Sequence, residues 1–369
     1  MKKYAFYLIM MLLLVALPVM FLAAFYGYRK LTLSYDYCGS YGRVDNEAGW
    51  VLKPNVSSCL SLKNHLTGEI FFDTNIYTNQ LGFRDTEPNR VVPQNAIAMI
   101  GDSWTFGYGV NYESSFPYLV SKELNTPTLN MGVPAYGSGS TFQLFSRHAN
   151  TIKPKVVVYF SLGLWTRSIC RASMVEQTLL PCYFIDQQNQ AQFALPRAGL
   201  VELSASRSLY PGGYLTSGYN FRDIFSTKPR EILQNLKQYV SAFVFKLSGV
   251  AVFQEELDSP PKSEDVAKIL AFELEQYKNS LMQTDTTFIL YDPYGNYAAL
   301  LTSIQEALGD RFIYLGAERW RDDVAGKFID MPVIQVKVPK DGHFAEGANL
   351  LIAKSIANAL TQNGVILRP

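Results

Sequence analysis

The stretch Ala96-Ile97-Ala98-Met99-Ile100-Gly101-Asp102-Ser103 decides the architecture. Apolar residues run without alternation into a glycine, an acid and a serine. A short unbroken apolar run closed by turn formers suits a strand buried on both faces, and such strands build parallel sheets. Four further runs read the same way: Leu129 to Met131, Val156 to Phe160, Phe288 to Tyr291 and the weaker Phe312 to Leu315.

Helical spacing fills the intervals. Phe116, Leu119, Val120 and Leu124 fall on one face, with Pro117 near a helix start and Ser115 in cap position. Residues 263–281, 297–308 and 345–362 also read as helices, and Gly364 stands where a C-terminal cap is expected. Strands alternating with helices predict an α/β fold, three layers deep, with helices on both faces of a parallel sheet.

Such a sheet binds ligands outside the carboxyl ends of its strands. Ser103 follows the first strand directly, so its hydroxyl reaches that crevice. A serine hydroxyl is a weak nucleophile and needs a base within hydrogen-bond reach. The chain has three histidines, His65, His148 and His343. His65 lies in an irregular region, and His148 reads as a packing or surface histidine in a helix. His343 stands before the last helix in Asp341-Gly342-His343, where an acid two residues away can orient the imidazole. Asp102 reads as a turn-holding cap. Arg84 reads as either a binder of anionic substrate or the partner of an acid in the N-terminal region.

These residues carry a family resemblance. Ile100-Gly101-Asp102-Ser103-Trp104-Thr105-Phe106-Gly107-Tyr108-Gly109-Val110 resembles the first block of SGNH/GDSL hydrolases. Asn130-Met131-Gly132-Val133-Pro134-Ala135-Tyr136-Gly137 resembles the second, and Asp341-Gly342-His343-Phe344 with Glu346-Gly347 the last. Thr78-Asn79-Gln80-Leu81-Gly82-Phe83-Arg84-Asp85 is similar to a lead-in of membrane-anchored bacterial members. The resemblance covers residues 45–165 and 285–369. It implies a flavodoxin-like SGNH hydrolase fold, with Ser103 as nucleophile, His343 as general base and Asp341 as its orienting partner. The oxyanion donors it implies are the N–H groups of Ser103 and Gly132. The family's third block normally adds an asparagine donor after the central strand, but here Val156 to Phe160 runs into Ser161-Leu162-Gly163-Leu164-Trp165-Thr166-Arg167. Losing one such donor typically costs about 10²–10³ in turnover. Trp165, Arg167 or Asn79 is expected either to substitute or merely to shape the rim.

Outside the motifs, 369 residues with 48% hydrophobic and 18% charged residues describe a globular chain. A formal net charge of +1 and the lack of a basic stripe after the first 30 residues give no case for nucleic acid. No metal-ligand spacing, phosphate loop or dinucleotide fingerprint occurs, so neither metal nor cofactor is expected. Tyr4 to Tyr28 carries no charge and is flanked by Lys2-Lys3 and Arg29-Lys30. About 20 apolar residues span a bilayer core, so residues 4–28 read as a membrane anchor, the alternative being a signal peptide cleaved near Ala23-Ala24. All four cysteines lie beyond this run. Cys38 with Cys59 and Cys170 with Cys182 are close in sequence and read as two disulfides in an oxidising compartment, the alternative being four buried thiols.

The expected organisation is an anchor over 1–30, a cap of short strands and loops over 31–92, and an SGNH hydrolase-like domain over 93–369. An insertion at 168–262 interrupts that domain, as a substrate lid or a surface elaboration. With the resemblance, this implies a single-pass bacterial inner-membrane protein with a periplasmic or otherwise extracytoplasmic esterase or O-acyltransferase acting on acetylated envelope polysaccharide. The alternatives are a lipid or thioester hydrolase and a catalytically weak glycan-binding or assembly module.

Overall fold

The structure is a computed structural model that describes residues 33–162, 168–169, 180–197, 263–282, 286–295, 297–298 and 301–366. The expected anchor, Trp165, Arg167, Cys170 and most of the 168–262 insertion lie outside the described residues. Among the described residues no helix is long and apolar enough to cross a membrane.

The five apolar runs form strands. They are β7 (Ile97–Gly101), β8 (Thr128–Gly132), β9 (Val156–Phe160), β12 (Thr287–Tyr291) and β13 (Phe312–Leu315). They pair in parallel in the order β8-β7-β9-β12-β13. Numbered along the chain, that is the flavodoxin-like order 2-1-3-4-5. β7 and β9 are buried at every position. Alternate side chains serve opposite layers: Ala98, Ile100, Val157 and Tyr159 join one core, and Ile97, Met99, Val156, Val158 and Phe160 the other. Two cores on two faces explain why these strands are apolar throughout rather than alternating.

Helices cover both faces. The first core receives Phe142, Leu144 and Phe145 of α3 (Ser138–Ile152), and Ile304 and Leu308 of α5 (Leu301–Leu308). The second receives Phe116, Val120 and Leu124 of α2 (Phe116–Leu124), and Ile352, Ile356 and Leu360 of α6 (Glu346–Gln362). Burying an aliphatic side chain of this size contributes about 2 kcal/mol. The sequence-derived helix over 263–281 is α4 (Ser263–Met282), while the one over 297–308 shortens to α5. Gly364 has the expected left-handed backbone, φ +67°.

The N-terminal segment, expected as a cap of short strands and loops, makes the sheet mixed rather than wholly parallel. β1 (Leu33–Tyr37), β4 (Ser57–Asn64), β5 (Ile70–Thr78) and β6 (Arg84–Asp85) are antiparallel and extend the same sheet to nine strands. The join is a single pairing of Arg84 with Asn130 on β8. Without it, β8 would present an unpaired edge. β2 (Gly42–Asp45) and β3 (Gly49–Leu52) form a hairpin apart, as do β10 (Cys182–Ile185) and β11 (Ala191–Ala194), the described part of the insertion. Cys38 and Cys59 are disulfide-bonded, as expected. Cys182 is also disulfide-bonded, and its expected partner Cys170 lies outside the described residues.

Candidate active site

β7 and β8 end side by side, Gly101 in register with Gly132. Gly101 has φ +156°, and a Cβ there would meet the Thr105 side chain and, at 3.1 Å, the Phe160 carbonyl. Only glycine lets the chain turn so tightly from strand to helix. The short α1 (Ser103–Phe106) starts at once. Asp102 caps it, its Oδ1 accepting from the Trp104 N–H at 3.0 Å, which matches the turn-holding role expected for it. Ser103 therefore stands at the carboxyl edge of the sheet, beside the β7–β9 switch point where open α/β sheets take ligands.

His343 arrives from the other end of the chain. A turn over residues 338–343 closes with Val338 N–H donating to the His343 carbonyl at 2.8 Å and Gly342 N–H to the Val338 carbonyl at 3.0 Å. Val338 packs on Gly109, where a Cβ would come within 3.0 Å of it. Behind the turn, Asn349 of α6 accepts the Phe116 N–H at 3.0 Å, and Glu346 accepts from Ser114 Oγ at 2.8 Å. This corrects the sequence-derived cap. Ser115 holds the N-cap position of α2, but its hydroxyl donates to the Tyr112 carbonyl at 2.6 Å, and Asn349 satisfies the helix instead. The cap thus ties the helix after His343 to the helix after Ser103.

The three side chains meet. His343 Nε2 lies 2.8 Å from Ser103 Oγ, and His343 Nδ1 is hydrogen-bonded to Asp341 Oδ1. Asp341 Oδ1 also accepts the His343 backbone N–H at 3.1 Å, and Oδ2 accepts from the Tyr35 hydroxyl at 2.7 Å. Burial would raise the Asp341 carboxyl. The hydrogen bond and charge of His343, with the Tyr35 hydroxyl, outweigh it and hold the group below the ordinary carboxylate range. An ionised Asp341 only accepts, so the proton of the neutral imidazole belongs on Nδ1, leaving the Nε2 lone pair for the Ser103 hydroxyl. Trp104 and Tyr108 flank the imidazole, ring centroids 4.7 and 4.8 Å away. The Asp341 side chain is 3% exposed and that of His343 22%, so the acid is sealed while the base faces the crevice.

The expected oxyanion donors divide. Ser103 opens α1, where backbone N–H groups have no intrahelical acceptor. The Gly132 N–H donates to Asn130 Oδ1 at 3.0 Å, while Asn130 Nδ2 donates to the Phe106 carbonyl at 3.3 Å. A Cβ on Gly132 would strike the Phe106 amide and approach the Thr105 carbonyl carbon to 2.7 Å, so this glycine also permits β8 and α1 to touch. Asn79 is committed elsewhere. Its Oδ1 accepts from Leu81 and Phe83 N–H, and its Nδ2 donates to Asp85 at 3.2 Å, so its carboxamide holds the 79–85 turn.

Arg84 binds neither an acid nor open solvent. It is 1% exposed and donates to backbone carbonyls: Phe106 at 2.8 Å, Gly107 at 2.6 Å, Val110 at 2.7 Å and Asn75 at 3.2 Å. Its guanidinium lies 4.5 Å from the centre of the Phe106 ring. Burial pulls its pKa down to about 10, against the opposing charges of Tyr41, Tyr112 and Glu113. Asp85, the acid beside it, instead takes Arg90 at 2.9 Å. His148 packs edge-on to Phe83 at 5.0 Å, the packing role expected of it, and His65 lies 3.5 Å from Asp36 on the surface. Among the described residues no cluster of His, Cys, Asp and Glu could hold a metal ion.

No family model matches the chain. No curated protein matches it either. Among solved structures, it is similar to a protein described as lipolytic, of the G-D-S-L family, from Desulfitobacterium hafniense, at 13% identity and TM-score 0.32, over 72% of this chain and 100% of that one. It is similar to a carbohydrate esterase whose active site displays divergent catalytic and non-catalytic binding functions, at 13% identity and TM-score 0.35, over 90% and 86% of the two chains. An acetyl xylan esterase from the rumen bacterium Butyrivibrio proteoclasticus is similar at 11% identity and TM-score 0.29, over 76% and 67%.

Proposed function

We propose that this chain is a serine-dependent ester hydrolase or O-acyltransferase that acts on O-acylated carbohydrate. The observation that carries the proposal is the continuous contact Ser103 Oγ–His343 Nε2 with His343 Nδ1–Asp341 Oδ1. In the first half-reaction the Ser103 oxygen bonds to the acyl carbon while its proton passes to His343 Nε2. The tetrahedral oxyanion is held by backbone N–H groups, that of Ser103 first. Collapse breaks the bond to the sugar oxygen, which takes the proton from His343. Water or a second sugar hydroxyl then attacks the acyl-enzyme by the same route in reverse. Asp341 keeps the imidazole in the productive tautomer and stabilises its cation.

Support for carbohydrate as the substrate class comes from the first, second and last blocks, which carry the SGNH resemblance, and from similar structures described as a carbohydrate esterase and an acetyl xylan esterase. The reading places residues 1–30 as a membrane anchor, 31–92 as an N-terminal segment and 93–369 as the catalytic domain, with the Cys38–Cys59 bond in keeping with an extracytoplasmic location. A second reading, a glycan-binding module of low activity, is favoured by the Gly132 N–H being given to Asn130 and by the absence of the third-block asparagine.

A serine-directed fluorophosphonate and an acetyl-ester reporter test the choice on the full chain. Wild type is expected to label and turn over, and Ser103→Ala to do neither while melting at the same temperature. Equal labelling of Ser103→Ala removes the nucleophile assignment. Glycan binding without labelling of the wild type selects the second reading.

A further inference from the structure

Asp341 is gripped from both ends of the chain. His343 occupies Oδ1 through its Nδ1 and its backbone N–H. Tyr35, 306 positions earlier, occupies Oδ2 through its hydroxyl at 2.7 Å. The ring of Tyr35 is itself fixed, edge-on to Tyr108 at 6.1 Å and tilted on Phe72 at 6.3 Å. Its strand β1 pairs with β4 along five residues, and the Cys38–Cys59 bond locks the strand three residues beyond Tyr35. Tyr37, on the same face of β1, brings its hydroxyl to 3.5 Å from that of Tyr108, whose ring lies against His343. Asp36, on the other face, turns to Lys63 at 3.4 Å and His65 at 3.5 Å.

Resting on the reading of Ser103, His343 and Asp341 above, we infer that Tyr35 is a positioning residue of the catalytic relay, supplied by the N-terminal strand, that sets the basicity of the Asp341–His343 pair through its hydrogen bond to Oδ2. A buried carboxylate oxygen that loses its donor becomes a stronger base. Asp341 would then hold the Nδ1 proton more tightly, and the imidazolium at His343 would give up its proton less readily. The pair titrates as a unit, so its apparent pKa values rise together. The titratable groups facing this pair are Tyr35 and Tyr37 from β1, Tyr108 from the loop after α1, and Ser103 from α1. Burial pushes the Tyr108 phenol far up, with Tyr37 and Tyr41 adding to the effect, so it stays neutral through the working range.

The experiment uses the full chain, in detergent, with histidine labelled by nitrogen-15; three histidines keep the spectrum assignable. Tyr35→Phe keeps the ring and removes the hydroxyl. The acid limb of kcat/KM on an acetyl-ester reporter is expected to move up by roughly half a pH unit or more, and the His343 ring resonances to titrate upward with it. kcat is expected to fall about 10-fold with KM little changed. Asp36→Asn, on the opposite face of the same strand, is expected to leave both profiles in place. An unshifted His343 titration in a folded Tyr35→Phe overturns the inference. If Tyr35→Phe fails to fold, 3-fluorotyrosine at position 35, a stronger donor, must move the limb downward, and an unmoved limb is equally fatal. A wild type that neither labels nor turns over sinks the hydrolase reading alone, because the resonance titration still reports whether Tyr35 acts on the pair.

Discussion

Arg84 Nη1 donates to the Gly107 carbonyl at 2.6 Å, so a fully buried cation grips the end of the helix that begins with Ser103. With the Phe106 and Val110 carbonyls on the same guanidinium, the 106–110 loop is gathered around one charge. That loop carries Tyr108 to the face of His343 and Gly109 to Val338. The planar five-donor fork suits several carbonyls at once, which a single ammonium does not. Arg84→Lys is expected to lose about 2 kcal/mol of stability, because buried carbonyls go unpaired. Arg84→Met is expected to lose more. Chemical denaturation measures both, and an Arg84→Lys protein as stable and as active as wild type would contradict the role.

Gly132 stands where β8 meets α1. Gly132→Ala forces the Thr105–Phe106 backbone away from a new methyl group that would otherwise sit 2.7 Å from the Thr105 carbonyl carbon. Overpacking of this kind costs about 1–3 kcal/mol. Since the displaced segment carries Ser103, kcat is expected to fall by at least 10-fold with a smaller change in KM. Steady-state kinetics on the acetyl-ester reporter gives the split.

Asp45 supplies a pH dependence separate from the Asp341–His343 pair. Burial raises its carboxyl, but the Arg147 guanidinium, at 2.7 Å, and the N–H groups of Ala48 and Glu47 overcome this and bring it from 3.8 to about 2. A group with a depressed folded pKa stabilises the protein above its unfolded pKa and stops doing so as pH falls through the folded value. The loss therefore falls between about pH 4 and pH 2. Partial exposure screens the pair, which reduces the contribution to about 1 kcal/mol. Asp45→Asn should flatten the acid side of the stability curve by that amount, as read by urea melts from pH 6 to pH 2.

The Cys38–Cys59 bond closes a separation of 21 residues. Its removal in Cys38→Ser/Cys59→Ser frees the unfolded chain and is expected to cost about 3 kcal/mol. Because β1 also carries Tyr35, activity should decline at temperatures below the main unfolding transition. A thermal melt run beside an activity-temperature curve shows whether the two separate.

The parallel half of the fold was legible because its strands are buried on both sides and leave unbroken apolar runs, as in Ile97–Gly101 and Val156–Phe160. Ser103, Asp341 and His343 were legible because each sits at a recognisable junction of strand, turn and helix. The antiparallel half was not. β6 has only two residues, and β5 mixes aromatic, acidic and amide side chains along nine. Arg84 reads from sequence as a binder of anionic substrate or the partner of an acid, yet its acceptors are carbonyls, which no side-chain pattern announces. Asn349 in place of Ser115, and Tyr35 on Asp341, are contacts across 233 and 306 positions, and a spacing rule has no reach there.

The distance in sequence between Tyr35, Ser103 and Asp341 has a bearing on how the protein is made. An emerging polypeptide holds its first strand and its serine long before the imidazole, which follows Ser103 by 240 positions. Until that stretch has been made, the hydroxyl lacks the imidazole that stands beside it in the fold. The pairing of hydroxyl and imidazole thus comes after every described strand of the sheet has been made.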